Sequence, residues 1–481
     1  MRASELAALL PGSVLNGADC DIVGLSSDSR TIRPGGTFIA LKGSITDGHR
    51  FIGSALERGA GLVIAEREQA PQAAHAPVLI VGSTSAALKH LLPKLYPGAT
   101  RVGLIGVTGT SGKTSTTLLL EAILRAAGHS PGVIGTIDTH YLGQTYAAGT
   151  TTPGPIDLFA TLDRMHTAGV DICAMEVSSH ALDQRRIEGL AFDYAVFTNL
   201  SLDHLDYHAD MHAYFEAKKR LFTDYLKGQA VINCDDMFGK DLLGHFPEAL
   251  TFGQTPKATL RAVAIKADLK GLSLDLALPS GSLHLTSSLL GTFQASNILA
   301  AAAVTHAMGI DGPSIARGVA SLKGIPGRME SVENRRDLTI LVDYAHKPEA
   351  LEKALLSVRS LTPGRVIAVF GCGGERDRSK RPVMGSIAAR LSDLAIVTSD
   401  NPRGEDPQTI IDAIVSGIED RSNLIIEPDR TSAIRLGIKD LKPGDCLLIA
   451  GKGHETYQII GSTKLPFDDK AVVQESLKEL V

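Results

Sequence analysis

The stretch GVTGTSGKTSTT, residues 106–117, is the most informative in the chain. The apolar run VGLIGV (102–107) leads into it, and STTLLLEAILRAAG (115–128) follows with helical spacing. A glycine-rich loop between a buried strand and a helix is a natural phosphate site, because loop N–H groups and the helix dipole both favour an anion. Gly112, Lys113 and Thr114 fit the end of the P-loop pattern G-x-x-x-x-G-K-[ST], but Val107 stands where the first glycine belongs. The nearest glycines are Gly106 and Gly109, so the loop reads G-T-S-G-K-T. It is either an altered NTPase motif or an ATP site of another kind. The plain alternative is an ordinary glycine-rich turn.

Working outward, the apolar runs VGLIGV, DICAMEV, YAVFTNL and GQAVIN read as buried strands with helical patterns between most of them. That rhythm implies a largely parallel sheet flanked by helices. The alternating stretch AVAIKADLKGLSLDLALPSGSLHLTSS reads as inserted antiparallel strands, and GTFQASNILAAAAVTHAMG as a return to helix. Upstream, DIVGLSSDSR, GGTFIAL and AGLVIAE read as strands, with helices over HRFIGSALERGA and SAALKHLLPKLY. Downstream, TILVDYA, GRVIAVFGCGG, LAIVTSD, NLIIEP and CLLIAGKG repeat the strand–helix rhythm on a smaller scale. The expected division is 1–98, 99–328 and 329–481, with Pro97-Gly98 and the IPGRME turn as boundaries.

The totals agree with this. A chain of 481 residues is too long for a single core. The net charge of −5 gives no bulk attraction to nucleic acid or an anionic membrane. No run approaches the roughly 20 apolar residues of a membrane span. MRASELAALLPGS has an early acidic residue and too short an apolar run for a signal peptide. The five cysteines are scattered without a C-x-x-C pair, which fits a reducing cytosol. A cytoplasmic, ligand-binding α/β protein is expected.

The chemistry-bearing residues fall just after strand ends, where open α/β sheets bind ligands. In the loop, the N–H groups of Gly109, Thr110, Ser111, Gly112, Lys113, Thr114 and Ser115 can ring a phosphate, Lys113 can neutralise it, and the Thr114 hydroxyl can reach Mg²⁺. In MEVSSHALDQRRIEG (175–189), Glu176 stands where a second metal ligand is expected, although a solvent-facing strand-end carboxylate is an equal reading. Ser178, His180, Gln184 and Arg186 follow as a cluster of donors suited to an anionic substrate. His204 in TNLSLDHLDYH could take a metal, but alone it reads more readily as a surface or capping histidine. Lys218 in YFEAKKRLF reads, on composition, as a solvated lysine. VDYAHKP, GCGGERDRSKRP, SDNPRGED and GKGHETYQ put Arg376, Lys380, Arg381, Arg403, Lys452, His454 and Glu455 on loops that could face one cleft. Scattered surface charge is the alternative, and four clusters at four strand ends disfavour it.

These motifs, taken with DSR (28–30), TTP (151–153), NCDD (233–236) and PGRME (326–330), resemble the Mur ligases of bacterial peptidoglycan synthesis in family order over essentially the whole chain. The short G-T-x-G-K-T loop is that family's own form of the P-loop. The resemblance implies a three-domain α/β architecture: a UDP-binding domain, a P-loop central domain and a smaller Rossmann-like C-terminal domain. It implies that Ser27, Ser29, Ser44 and Thr46 hold the uridine diphosphate end, and that Thr151, Thr152, Ser178, Gln184 and Arg186 hold the muramoyl-dipeptide. Asn233, Arg328 and Asp343 would complete the ATP site. Lys218 would be carbamylated by CO₂ and would, with Thr114, Glu176 and His204, hold Mg²⁺; Lys113, Glu176, His204 and Lys218 would be catalytic. Two departures stand out: Glu375 where the family usually has Asp, and Gln294 where Asn is common.

The implied reaction is ATP-driven amide formation. A carboxylate of UDP-N-acetylmuramoyl-L-alanyl-D-glutamate becomes an acyl phosphate, which the amine of meso-diaminopimelate attacks. Arg376, Asp400, Asn401, Pro402, Arg403, Gly451 and Glu455 would bind that amino acid. Its far carboxylate matches arginine, whereas lysine would leave the guanidinium groups unpaired. A monomer that closes about residues 326–331 is expected. The rivals are a folylpolyglutamate synthase-like ligase, which lacks the first domain, a P-loop ATPase switch, and an inactive nucleotide-sugar binder.

Overall fold

A computed structural model describes residues 1–43, 46–67, 76–336 and 338–479. The chain divides into two compact units, Met1–Thr117 with Gly128–Leu250, and Leu118–Ala127 with Thr251–Val481.

The first unit holds a small sheet and a larger one. In the small sheet Thr37–Ile39, Leu62–Glu66 and Val78–Val81 run parallel, and Val14–Asn16 closes the edge antiparallel. The expected strand over DIVGLSSDSR does not form as a regular element. Gly24 takes φ +53°, which breaks the extended run, and Val23 and Ser26 make only isolated backbone bonds to Thr37 and Ile39. Ser29–Thr31 is instead a short 3₁₀ turn capped by Asp28.

In the larger sheet five strands are parallel, in the order Leu226–Asn233, Phe192–Phe197, Gly103–Thr108, Ile172–Glu176, Pro131–Ile134. Their interiors read AVF, ICAM and LIGV because both faces are covered, so no polar alternation is needed. An antiparallel hairpin, Asp138–Tyr141 with Gln144–Ala147, extends the edge. Helices Lys113–Ala126, Pro155–Ala168 and Met211–Thr223 connect the strands. One hydrophobic cluster runs from Leu6 and Leu91 through Leu104, Phe159 and Met175 to Phe197 and Leu221. The Pro97–Thr100 turn is docked, since Gly98 N donates to Asp163 Oδ1 at 2.8 Å.

In the second unit, Leu260–Asp268, Gly271–Leu278 and Gly281–Ser287 form the expected antiparallel meander. The mostly buried, alanine-rich helix Gln294–Ala307 follows. A six-stranded sheet has the order Glu330–Ser331, Thr339–Asp343, Cys446–Ala450, Val366–Phe370, Leu394–Val397, Leu424–Ile426, parallel except at its first edge. Its strands end together at Asp343, Ala450, Phe370 and Val397, so the loops that follow share one edge. The last helix, Asp469–Glu479, is fixed by a fully buried ion pair: Arg430 donates from Nε and Nη2 to Asp469, each at 2.7 Å. No described helix is long and apolar enough to cross a membrane.

Candidate functional site

In the first unit the phosphate loop is built by two neighbouring strand ends. Gly109 takes φ +148°, and a Cβ there would collide with the Thr198 hydroxyl. Thr198 Oγ1 donates to Ser111 O at 2.7 Å, and Asn199 exchanges bonds with Ser111 through Oδ1 (2.9 Å) and Nδ2 (3.1 Å). The TNLS segment thus holds the loop open from outside, with its N–H groups at the start of helix Lys113–Ala126. Lys113 Nζ donates to Gly109 O at 2.8 Å and to Thr110 O at 3.0 Å. The Asn233 amide, on the next strand, donates to Thr198 O at 2.7 Å.

Glu176 is 1% exposed, so the solvent-facing reading is excluded. Thr114 Oγ1 donates to its Oε1 at 2.9 Å, Thr136 N to Oε1 at 2.8 Å, and Thr136 Oγ1 to Oε2 at 2.9 Å. Thr136 reaches Thr151 at 3.1 Å. Thr152 Oγ1 donates to Glu176 O (2.9 Å) and accepts from Ser178 N (3.1 Å). Arg186 Nη1 donates to Thr152 O at 3.0 Å, while Nε and Nη2 donate to Gln184 Oε1 at 3.0 and 2.7 Å.

Lys218 is buried, not solvated, and its Nζ donates to Gly109 O at 2.9 Å. Tyr214, one turn earlier, lies beneath it: the Nζ is 4.5 Å from the ring centroid, and the phenol meets Thr110 Oγ1 at 3.2 Å. His204 is 5.8 Å from the same ring and 4.8 Å from the ring of His180. It is held in the left-handed region at φ +55°, with Asp203 accepting its backbone N–H at 2.7 Å. Burial lowers the pKa of His180 and of His208 from the ordinary histidine value, which favours neutral rings there. The P-loop, Glu176, Thr151, Thr152, Ser178, Gln184, Arg186, Lys218 and Asn233 therefore form one contiguous polar network, and His204 stands beside it through ring contacts with Tyr214 and His180. Tyr214, Thr136, Thr198 and Asn199 belong to it too. Sequence reasoning gave them no role, because a lone hydroxyl or amide carries no motif; only the quoted TNL run pointed at two of them. Ser29 is buried in its turn, and Ser27 and Thr46 are exposed. Ser44 lies outside the described residues.

Among the described residues no group of three or more His, Cys, Asp or Glu side chains is arranged to hold a metal ion on its own. What is present is a hydroxyl bonded to a buried carboxylate beside a phosphate loop. This oxygen donor set suits Mg²⁺, which takes one or two carboxylates and completes its shell with phosphate and water.

In the second unit the loops after the aligned strand ends carry the other set. The Asp343 carboxylate accepts from Met329 N (2.7 Å) and Ala345 N (2.8 Å), and burial raises its pKa despite Arg328 nearby. The Arg328 guanidinium sits 4.9 Å over the Tyr344 ring. Arg403 takes φ +52° and donates from Nη1 to Gly374 O at 2.7 Å. Its backbone pairs with Ile459 and Gly461. A Cβ on Gly373 would lie 2.9 Å from Arg403 Nη1 and 3.7 Å from Arg376 Cγ, so both arginines flank that glycine. Asp400, Asn401 and Pro402 are buried, and Asn401 Nδ2 donates to Glu455 Oε2 at 2.9 Å. A Cβ on Gly451 would lie 2.6 Å from Asp400 Oδ2.

Two expected cleft residues turn inward instead. Arg381 is buried against Glu405, and Lys452 lies fully buried beneath Asn401 and Glu455. Burial of a charge requires partners, and the neighbouring carboxylates supply them. The departure Gln294 is also buried; its Oε1 accepts from Asn297 Nδ2, and its Nε2 has no partner among the described residues.

Three family models match: Mur ligase family, catalytic domain over 21–96; Mur ligase middle domain over 107–305; and Mur ligase, glutamate ligase domain over 327–453. The chain belongs to the Mur ligase family. Among relatives, it is 45% identical to the UDP-N-acetylmuramoyl-L-alanyl-D-glutamate–2,6-diaminopimelate ligase of Gloeobacter violaceus, covering 100% of this chain and 98% of that one. It is 43% identical to the protein of the same name from Geobacillus kaustophilus, covering 100% of both. A solved structure of a ligase with that name matches with TM-score 0.70 at 33% identity, over 95% of each chain. The Mur ligase likeness thus extends over the first segment, which a folylpolyglutamate synthase-like chain is expected to lack. The three-domain α/β fold expected from the motifs is the family's fold.

Proposed function

We propose that this chain is an ATP-dependent amide ligase that joins meso-diaminopimelate to UDP-N-acetylmuramoyl-L-alanyl-D-glutamate in the cytoplasm. The observation that carries the reading is the unbroken bonding path from Thr114 of the phosphate loop through Glu176 to Thr152 and Arg186. It links a nucleotide-phosphate site to a cationic acceptor site within one unit. The near-full-length relatives of that name supply the substrate class.

In this reading 1–98 holds the uridine diphosphate end through Ser27, Ser29, Ser44 and Thr46, 99–328 holds ATP, and 329–481 holds the amino acid. Arg186 and the Thr151, Thr152 and Ser178 hydroxyls orient the dipeptide so that its terminal carboxylate faces the γ-phosphate. Two anions repel at that distance, and Lys113 offsets the repulsion once it leaves the Gly109 and Thr110 carbonyls for phosphate oxygens. The carboxylate oxygen attacks phosphorus, ADP leaves, and an acyl phosphate remains. The incoming amine attacks the acyl carbon, and the C–O bond breaks to release phosphate. Thr114, Glu176, His204 and a carbamylated Lys218 would hold Mg²⁺, which when bound screens charge between the carboxylate and the phosphates. Asn233, Arg328 and Asp343 would complete nucleotide binding. Holding reactants in line is the main source of rate in such a site.

Arg403 and Arg376 would bind the far carboxylate of diaminopimelate, and Glu455 its ammonium, with Asp400, Asn401, Pro402 and Gly451 shaping the site. The test is mass analysis of the product formed from the three substrates, together with phosphate release when each is omitted. The tripeptide mass is expected, with phosphate release only in the complete mixture. Steady ATP turnover without the amino acid would favour an ATPase switch instead.

A further inference from the structure

Lys452 takes no part in the chemistry above, yet it sits beneath both loops that would hold the amino acid. Its side chain is fully buried. Nζ donates to Asn401 Oδ1 at 3.2 Å and to Glu455 Oε2 at 3.4 Å, and lies 4.0 Å from Asp400 Oδ1. The Tyr457 and Phe467 rings flank it, at 5.7 and 6.0 Å. The next cation inward, Arg430, is committed to Asp469 and to Ala450 O at 3.0 Å.

These bonds over-determine two side chains. Asn401 Oδ1 accepts from Lys452 Nζ and from Ile459 N (2.9 Å), which fixes its amide orientation. Its Nδ2 must then donate to Glu455 Oε2 (2.9 Å), and this leaves one N–H over. Glu455 is held through Oε2 alone, so Oε1 has no partner among the described residues. The result is one free carboxylate oxygen and one free amide N–H at fixed positions. An α-amino-acid end group needs an acceptor for its ammonium and a donor for its carboxylate.

We propose that Lys452 is a positioning residue for the amino-acid substrate: it holds Asn401 and Glu455 in the geometry that receives one ammonium–carboxylate end. The proposal rests on the reading of the 399–403 and 451–455 loops as the amino-acid site. Removing the ammonium leaves Asp400 and Glu455 facing each other without a counter-charge. Glu455 is then free to rotate off Asn401.

The test is steady-state kinetics of Lys452→Met, which keeps the stem and removes the charge, varying each substrate in turn. KM for diaminopimelate is expected to rise about tenfold or more, while KM for ATP and for the nucleotide-sugar peptide stays within about twofold. In a Glu455→Gln background the same substitution adds little, because the two changes act on one bond. Lys452→Gln, which keeps a donor without charge, reads the same quantities with a milder effect if the Met variant does not fold. An unchanged KM for diaminopimelate, an equal rise in all three KM values, or full additivity with Glu455→Gln overturns the proposal. If wild-type enzyme forms no tripeptide from diaminopimelate, the functional reading falls instead; normal wild-type activity with an unaffected variant sinks this inference alone.

Discussion

Arg381 grips Glu405 with two bonds, Nη1 to Oε2 at 3.1 Å and Nη2 to Oε1 at 3.0 Å. The same carboxylate accepts from Glu375 N at 2.6 Å, so it ties the GCGGERD loop to the DNPRGE loop. The Arg381 bonds, with that backbone donor, hold the Glu405 carboxyl down from 4.5 to about 2. A depressed folded value means stability that is complete above the unfolded value and lost as pH falls toward the folded one. Wild type should therefore lose melting temperature more steeply than Glu405→Gln between about pH 4.5 and pH 2. Parallel melting curves for the two across that window would contradict this assignment.

Arg403 is the expected discriminator of the amino acid's far end. Arg403→Ala should raise KM for diaminopimelate by about tenfold to a hundredfold and narrow its preference over lysine. Competition between the two amino acids, read by product mass, checks it. Arg403→Lys should restore little, because an ammonium cannot reproduce the planar two-donor grip.

Glu176→Gln keeps the shape of the Thr114 and Thr136 contacts but removes a charge from the phosphate site. The expected outcome is a fall in kcat of about a hundredfold or more. The Mg²⁺ concentration for half-maximal rate should also rise, which a simple packing defect would not produce. Magnesium titrations of both enzymes decide it.

Lys218 should carry a carbamate in the active enzyme. Incubation with ¹³C-bicarbonate should give a protein-bound carbamate resonance that is missing from Lys218→Ala. An identical spectrum from the variant would remove Lys218 from the metal-binding set.

The Arg430–Asp469 pair predicts an asymmetry in stability. Asp469→Asn alone should cost about 3–5 kcal/mol, because it strands a buried guanidinium. Replacing both partners with apolar residues of similar volume should cost far less. Denaturant titrations of the single and double variants measure the difference.

The sequence displayed the strands wherever apolar residues ran four to six long, as in ICAME or VIAVF. It hid the hairpin of half-buried Asp138–Tyr141 with exposed Gln144–Ala147, whose residues are mostly polar and whose identity as strands comes from pairing. DIVGLSSDSR looked extended on composition, but a left-handed glycine in its middle left room only for isolated bonds. At the site, charged and glycine residues announced themselves by spacing. Tyr214 did not: it sits on the buried face of helix Met211–Thr223, where an aromatic reads as core. Its contact with Thr110 joins segments 104 residues apart. Lys452 looked like a ligand-facing cation because burial cannot be read from G-K-G.

Among the described residues six non-glycine residues adopt left-handed backbone, and His204, Glu375 and Arg403 are among them, each within a loop assigned above to ligand binding. Such conformations cost on the order of 1 kcal/mol each and persist only where surroundings enforce them. An engineer seeking heat resistance would find these positions attractive, since glycine there relieves the strain. The same exchange deletes the imidazole or guanidinium for which the strain is tolerated, so the hardiest descendants of such a screen should be the poorest catalysts.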